Sequence, residues 1–291
     1  MTHAWRDLYW QSRDGLRLHA RDYPGDGAKI PVVCIPGLTR NAADFDELAT
    51  RLAARGHRVI CVELRGRGGS ERDPKPSRYR PPTYAQDVLG LLAAQGIARA
   101  AFIGTSLGGI VTMAITGTRP EVVAAVVLND VGPDVPRAAI ERIAKYTSRT
   151  LPPMSRADAV ALVRNNLGAA HPGYGEDDWA RLATRVFRVR DDGLWELDYD
   201  PAVVRPMPPW LMALLRPLMW RGFRKLANGR PTLVVRGALS DVLDDAILAR
   251  MRREAPALRV CVVPDTGHAP DLDQSPAVEA IESLLDVVGA T

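Results

Sequence analysis

Residues 100–109 read Ala100-Ala101-Phe102-Ile103-Gly104-Thr105-Ser106-Leu107-Gly108-Gly109. Ala100–Ile103 is an apolar run of strand length, and Leu107–Thr118 carries helical apolar spacing. The turn between them, G-x-S-x-G, joins a strand directly to a helix. A turn this sharp forces the serine into a strained backbone conformation. The positions two residues to either side approach closely, so Gly104 and Gly108 remove side chains that would collide. The Ser106 hydroxyl then stands clear at the C-terminal edge of a sheet, where open α/β sheets bind ligands. The Leu107 N–H, at a helix N-terminus, is placed to stabilise an oxyanion. The competing reading of Ser106 is a plain helix N-cap.

Outward from this turn, strand and helix patterns alternate. Val32–Ile35, Val59–Val62, Ala100–Ile103, Val122–Leu128, Thr232–Val235 and Arg259–Val263 are short, nearly continuous apolar runs. Parallel strands covered on both faces read this way. Ahead of them, Trp5–Gln11 and Leu16–Tyr23 flank Asp14-Gly15 and predict an antiparallel hairpin. Helical spacing predicts Asp44–Ala54, Thr83–Gln95, Leu107–Thr118, Asp245–Arg253 and Pro276–Val288, with Thr83 and Gln86 as a capping box. The expected fold is α/β: an eight-stranded, mostly parallel sheet with helices on both faces. From 132 to 228 no strong strand signal appears, and this stretch reads as a mainly helical cap inserted between core segments 1–131 and 229–291.

A serine hydroxyl needs a base to become a nucleophile. Of the five histidines, His268 sits in Thr266-Gly267-His268-Ala269-Pro270, just past the last strand. His57 precedes a strand, at the opposite edge; His3 and His19 belong to the N-terminal region and His171 to the cap. The base needs a third group to orient it. Asp241, beyond Thr232–Val235, is the expected acid; Asp130, beyond Val122–Leu128, is the alternative. The second oxyanion donor is expected from Pro36-Gly37-Leu38, through the Leu38 N–H.

The 291 residues are long enough to bury a sizeable core. Apolar residues at 46% and charged residues at 25% exclude a disordered chain. Three cysteines, Cys34, Cys61 and Cys261, each lie in an apolar run and read as buried small hydrophobes; no CxxC suggests zinc. The net charge of +4 comes from scattered arginines, with only Lys29, Lys75, Lys145 and Lys225 as lysines. No basic stripe is interleaved with aromatics, so no nucleic-acid partner is expected. No secretory signal is visible, and Trp210–Trp220 is too short and broken to insert stably in a membrane, which gives a cytoplasmic expectation.

The order Ser106, Asp241, His268 resembles that of the α/β-hydrolase superfamily, in its cap-containing, serine esterase-like branch. The resemblance also rests on Pro36-Gly37-Leu38, Glu63–Ser70, Asn129–Pro133, Gly237–Asp241 and Gly267–Pro270. It departs at Pro36, where many relatives carry histidine, and at Glu63, where aspartate is frequent. Thr105 and Ala269 argue against carbon–carbon bond hydrolysis, and Ser106 against dehalogenases and epoxide hydrolases. The resemblance implies cleavage of carboxylic esters of small to medium apolar substrates through an acyl-enzyme, with no metal or organic cofactor. Lactone, thioester or carbon–carbon bond hydrolysis and cofactor-free perhydrolysis are alternatives on the same triad; a ligand-binding protein is the non-enzymatic one. A homo-oligomer is compatible with the sequence. In the cap, Met207–Phe223 is rich in large apolar residues flanked by arginine. It reads as packing against the core, as an apolar substrate wall or as a lipid-associating surface.

Overall fold

The computed structural model describes residues 4–147, 150–204 and 208–289. Its main sheet has eight strands: β1 (Arg6–Gln11), β2 (Arg17–Tyr23), β3 (Val32–Ile35), β4 (Val59–Glu63), β5 (Ala100–Thr105), β6 (Val123–Asn129), β9 (Thr232–Gly237) and β10 (Arg259–Val263). Their order is β1-β2-β4-β3-β5-β6-β9-β10. β1 and β2 form an antiparallel hairpin and β2 pairs antiparallel with β4. Every later pairing is parallel. Helices are α1 (Asp46–Ala54), α2 (Pro81–Ala94), α3 (Leu107–Thr118), α4 (Arg137–Thr147), α5 (Arg156–Leu167), α6 (Glu176–Val186), α7 (Pro209–Ala227), α8 (Asp245–Glu254) and α9 (Ala277–Gly289).

Each central strand buries both faces, and alternate residues feed two cores. Val33, Ile35, Phe102 and Val234 meet α2, α3, α7 and α8 on one side. Val32, Cys34, Ile103 and Val235 meet α1 and α9 on the other. That double burial is why these runs show no polar alternation. Cys34 and Cys61 are buried, as expected, and burial pushes the Cys61 thiol up; Cys261 is half-buried.

Three local expectations are corrected. α2 begins at Pro81, with Arg80 as N-cap and no side-chain cap; Thr83 lies inside the helix. Pro81 and Pro82 pre-set the first turn and need no N–H partners there, so no capping box is required. The 132–228 stretch holds a small antiparallel pair, β7 (Phe187–Val189) and β8 (Trp195–Leu197). At three residues each, these strands are too short to show a period. α7 falls within the expected cap but packs against α3, and its Trp220, Phe223 and Leu226 lie in the core. The expected apolar segment splits: Trp210, Leu214 and Leu218 are exposed, and Met207 lies outside the described residues. No helix among the described residues is long and apolar enough to cross a membrane.

Between β6 and α7 the insertion builds its own small core from Ala159, Val163, Trp179, Leu182, Phe187 and Trp195. Side chains and backbone pin it to the sheet's C-terminal edge. The Asn41 Nδ2 donates to Asp198 at 2.6 Å, the Tyr79 hydroxyl to Asp200 at 2.7 Å and Arg185 to Glu47 at 2.6 Å. A cavity lies between insertion and sheet.

Candidate active site

Ser106 follows β5 with φ 51° and ψ −112°, a backbone conformation that a non-glycine residue adopts only under strain. The crowding around it explains the glycines. A Cβ on Gly104 would come within 2.5 Å of the Gly108–Gly109 backbone, as the sequence predicts. Gly108 is needed for a different contact, because a Cβ there would sit 2.0 Å from the Ile35 carbonyl at the end of β3. Gly109 is a third such position, with Val131 Cγ1 2.4 Å away. The turn is therefore locked against both neighbouring strands.

His268 meets Ser106 as expected, with Nε2 3.0 Å from the Ser106 Oγ. Its Nδ1 lies 2.7 Å from the Asp130 carboxylate, not near Asp241. Asp130 follows β6 directly and is fully buried. It also accepts from the Gly237 N–H at 3.0 Å and the Ser240 hydroxyl at 2.6 Å. The carboxylate beside His268 is thus the alternative, Asp130, and not the expected Asp241. Asp241 is half-exposed and bound by Arg142 of α4 through two bonds of 2.6 and 2.7 Å. Burial works to raise its pKa, but the Arg142 guanidinium outweighs this and holds it below the usual carboxylate value.

The reason lies in how the loops cross. His268 follows the edge strand β10, and its loop reaches back over β9 towards β6. Gly237 permits that crossing, since a Cβ there would sit 2.4 Å from the Thr266 and Gly267 carbonyls. The Leu239 N–H also bonds Thr266 O at 2.9 Å. The β9 loop therefore carries the histidine loop, while Asp241, four residues past the strand, faces the insertion.

Leu38 and Leu107 both lie beside Ser106. Leu107 opens α3, and neither N–H bonds another described residue. The Arg40 N–H bonds Gly37 O at 3.3 Å, fixing the peptide that carries the Leu38 N–H. Buried Arg67 adds a clamp that the sequence reading missed: its Nε and Nη2 donate to Leu38 O at 2.9 and 2.8 Å. Asn129 was also missed as a positioning group. Its Nδ2 donates to Pro270 O at 2.9 Å and Thr105 Oγ1 at 3.2 Å, tying the histidine loop to β5. The sequence signal for both was a polar residue at the C-terminal end of a fully apolar strand, or in the loop just beyond it.

Of the other histidines, His57 bonds Ile30 O at 2.9 Å and is buried in the core, and His19 sits between Glu63 and Asp7 at 2.8 and 2.7 Å. His3 lies outside the described residues. His171 does line the cavity, stacked on Tyr174; burial lowers its pKa and favours the neutral ring. Next to it, the Gly267 N–H bonds Ala170 O at 2.6 Å, so the insertion holds the histidine loop directly. The cavity is lined by apolar residues, among them Leu162, Leu182, Val186, Phe187 and Leu197, and by polar ones that include Arg40, Asp44, Asn166 and Asp271.

The sequence profile of the alpha/beta hydrolase fold family matches residues 30–273. The chain belongs to the α/β-hydrolase family. This α/β-hydrolase is 34% identical to the 3-hydroxybutyrate-oligomer hydrolase of Cupriavidus necator, over 88% of each chain. It is 27% identical to the 2-(acetamidomethylene)succinate hydrolase of Mesorhizobium japonicum, over 86% of each. A crystal structure of an α/β-hydrolase from Novosphingobium aromaticivorans is 40% identical, with a TM-score of 0.90 over 98% of this chain and 99% of that one. The eight-stranded sheet with helices on both faces is therefore the α/β-hydrolase fold.

Proposed function

We propose that this chain is a serine carboxylic-ester hydrolase that works through an acyl-enzyme. One observation carries the reading: an unbroken chain of contacts from Ser106 Oγ to His268 Nε2 at 3.0 Å and from His268 Nδ1 to Asp130 at 2.7 Å. His268 takes the Ser106 proton as the hydroxyl attacks the ester carbonyl. The N–H groups of Leu38 and Leu107 hold the oxyanion. The intermediate collapses as His268 protonates the leaving alcohol, and water activated by the same ring then releases the acid. Asp130 fixes the imidazole tautomer and stabilises its cation; the Ser240 and Gly237 donors keep that carboxylate oriented.

Apolar cavity walls favour small to medium acyl and alcohol groups. The relative that cleaves 3-hydroxybutyrate oligomers makes short hydroxyacid esters the substrates of choice. The test is a p-nitrophenyl ester chain-length series on wild type and Ser106→Ala. Turnover of short esters, lost by at least ~10³-fold in the variant, is expected; retained turnover in folded Ser106→Ala would refute the mechanism.

A further inference from the structure

We propose that Arg40 binds a free carboxylate on the substrate, so that the site selects esters whose alcohol or acyl part carries an ionised acid, as a linear hydroxyacid oligoester does at its end. This rests on the ester-hydrolase reading and adds the substrate's charged group to it. Arg40 follows the oxyanion loop and lines the cavity. Its side chain runs close to the nucleophile: a point at the Gly37 Cβ position is 3.4 Å from Arg40 Cγ and 3.9 Å from Ser106 Cβ.

The guanidinium is held but not saturated. Asp44 accepts from Nε at 2.7 Å and from Nη2. Nη1 bonds no described residue, and part of the side chain faces the cavity. A guanidinium has five N–H donors in a rigid fork, so one edge fixed by Asp44 leaves donors in a set direction. The cavity wall is partly leucine, valine and phenylalanine and partly polar, with Asn166, His171 and Asp271 among its residues; an unmet cationic donor there is costly, and a carboxylate meets it with a charge-assisted bond about twice as strong as a neutral one. The other charged groups nearby are already engaged. Asp271 accepts from the Tyr174 hydroxyl and lies 3.7 Å from Arg185, and Arg185 also bonds Glu47. His171 is neutral when buried there. Arg40 is thus the cavity's one wall cation with a donor left over among the described residues.

The experiment compares 3-hydroxybutyryl-3-hydroxybutyrate as the free acid with its methyl ester, whose scissile internal ester is the same. Wild type is expected to prefer the acid by at least ~10-fold in kcat/KM, chiefly through KM. Arg40→Met is expected to bring that ratio near one, through a loss larger on the acid than on the methyl ester; Arg40→Lys should keep part of the preference. A wild-type ratio of one, or an equal loss on both substrates in a folded Arg40→Met, overturns the proposal and leaves Arg40 as a brace for the oxyanion loop. Should Arg40→Met not fold, inhibition of wild type decides: 3-hydroxybutyrate must compete with p-nitrophenyl acetate at least ~10-fold better than 3-hydroxybutyramide does. Equal inhibition overturns the carboxylate site with ester hydrolysis intact. Absence of turnover on every ester overturns both.

Discussion

Asp130 has a donor on each oxygen, and one of them is the imidazole that faces Ser106. Replacing it with asparagine keeps the shape but offers an N–H to the His268 Nδ1–H, favouring the wrong tautomer. Asp130→Asn is therefore expected to lower kcat by about 10³–10⁴-fold. Asp241→Asn removes only a half-exposed pairing with Arg142 and should leave kcat within about threefold. Steady-state kinetics on both variants checks the assignment; the reverse ranking contradicts it. The glycines are a second residue-scale test. Gly108→Ala puts a methyl group 2.0 Å from Ile35 O, and the soluble fraction or Tm should fall sharply. The meeting of Ser106 and His268, with Leu38 and Leu107 close by, was legible in the sequence, because each follows a strand end within a motif whose chemistry is local. The carboxylate beside His268 was not. Asp130 and Asp241 both follow parallel strands, and only the return of the histidine loop across Gly237 chooses between them.

The elements were legible where burial imposes an unbroken apolar run or a helical period. The central strands and α3 match their apolar runs, while β7 and β8 are too short to carry one. α7 shows what periodicity leaves out. Its apolar residues cover both faces, and only contact with α3 shows that Trp220, Phe223 and Leu226 are the core side. Phe223→Ala is expected to cost about 3–5 kcal/mol, read by denaturant unfolding; a cost under about 1 kcal/mol would place α7 outside the core. Asp198, just past β8, gives the insertion a pH-dependent anchor. Burial, with Glu63 adding to it, pushes its carboxyl up to about 6. The folded state then holds a proton that the unfolded chain releases near the ordinary aspartate value of 3.8. This group's contribution favours folding at low pH and is lost as pH rises from about 4 to 6. Asp198→Asn should remove that slope from a Tm-against-pH profile. An unchanged slope would show that Asp198 ionises freely.

At the scale of the molecule, the sheet order brings β5, β6 and β9 side by side, so Ser106, Asp130 and the loop that supports His268 converge at one edge. The insertion covers that edge and shares bonds with it at Asp198, Asp200, Arg185, Arg142 and Ala170. Because those bonds reach the oxyanion loop and the histidine loop alike, insertion and core should unfold in one calorimetric transition. Two resolved transitions would mean that the insertion folds as a separate unit. The alternation of strands and helices made this architecture readable; the anchoring, built from single polar contacts between distant segments, left no pattern to read.

The proposed mechanism requires Ser106 to become acylated. The most direct measurement mixes folded protein with a fluorophosphonate and maps the adduct by peptide mass spectrometry. One adduct is expected, on the peptide containing Ser106, lost in Asp130→Asn on the same time scale but not in Asp241→Asn. An adduct on another residue, or none in protein shown to be folded, would contradict it.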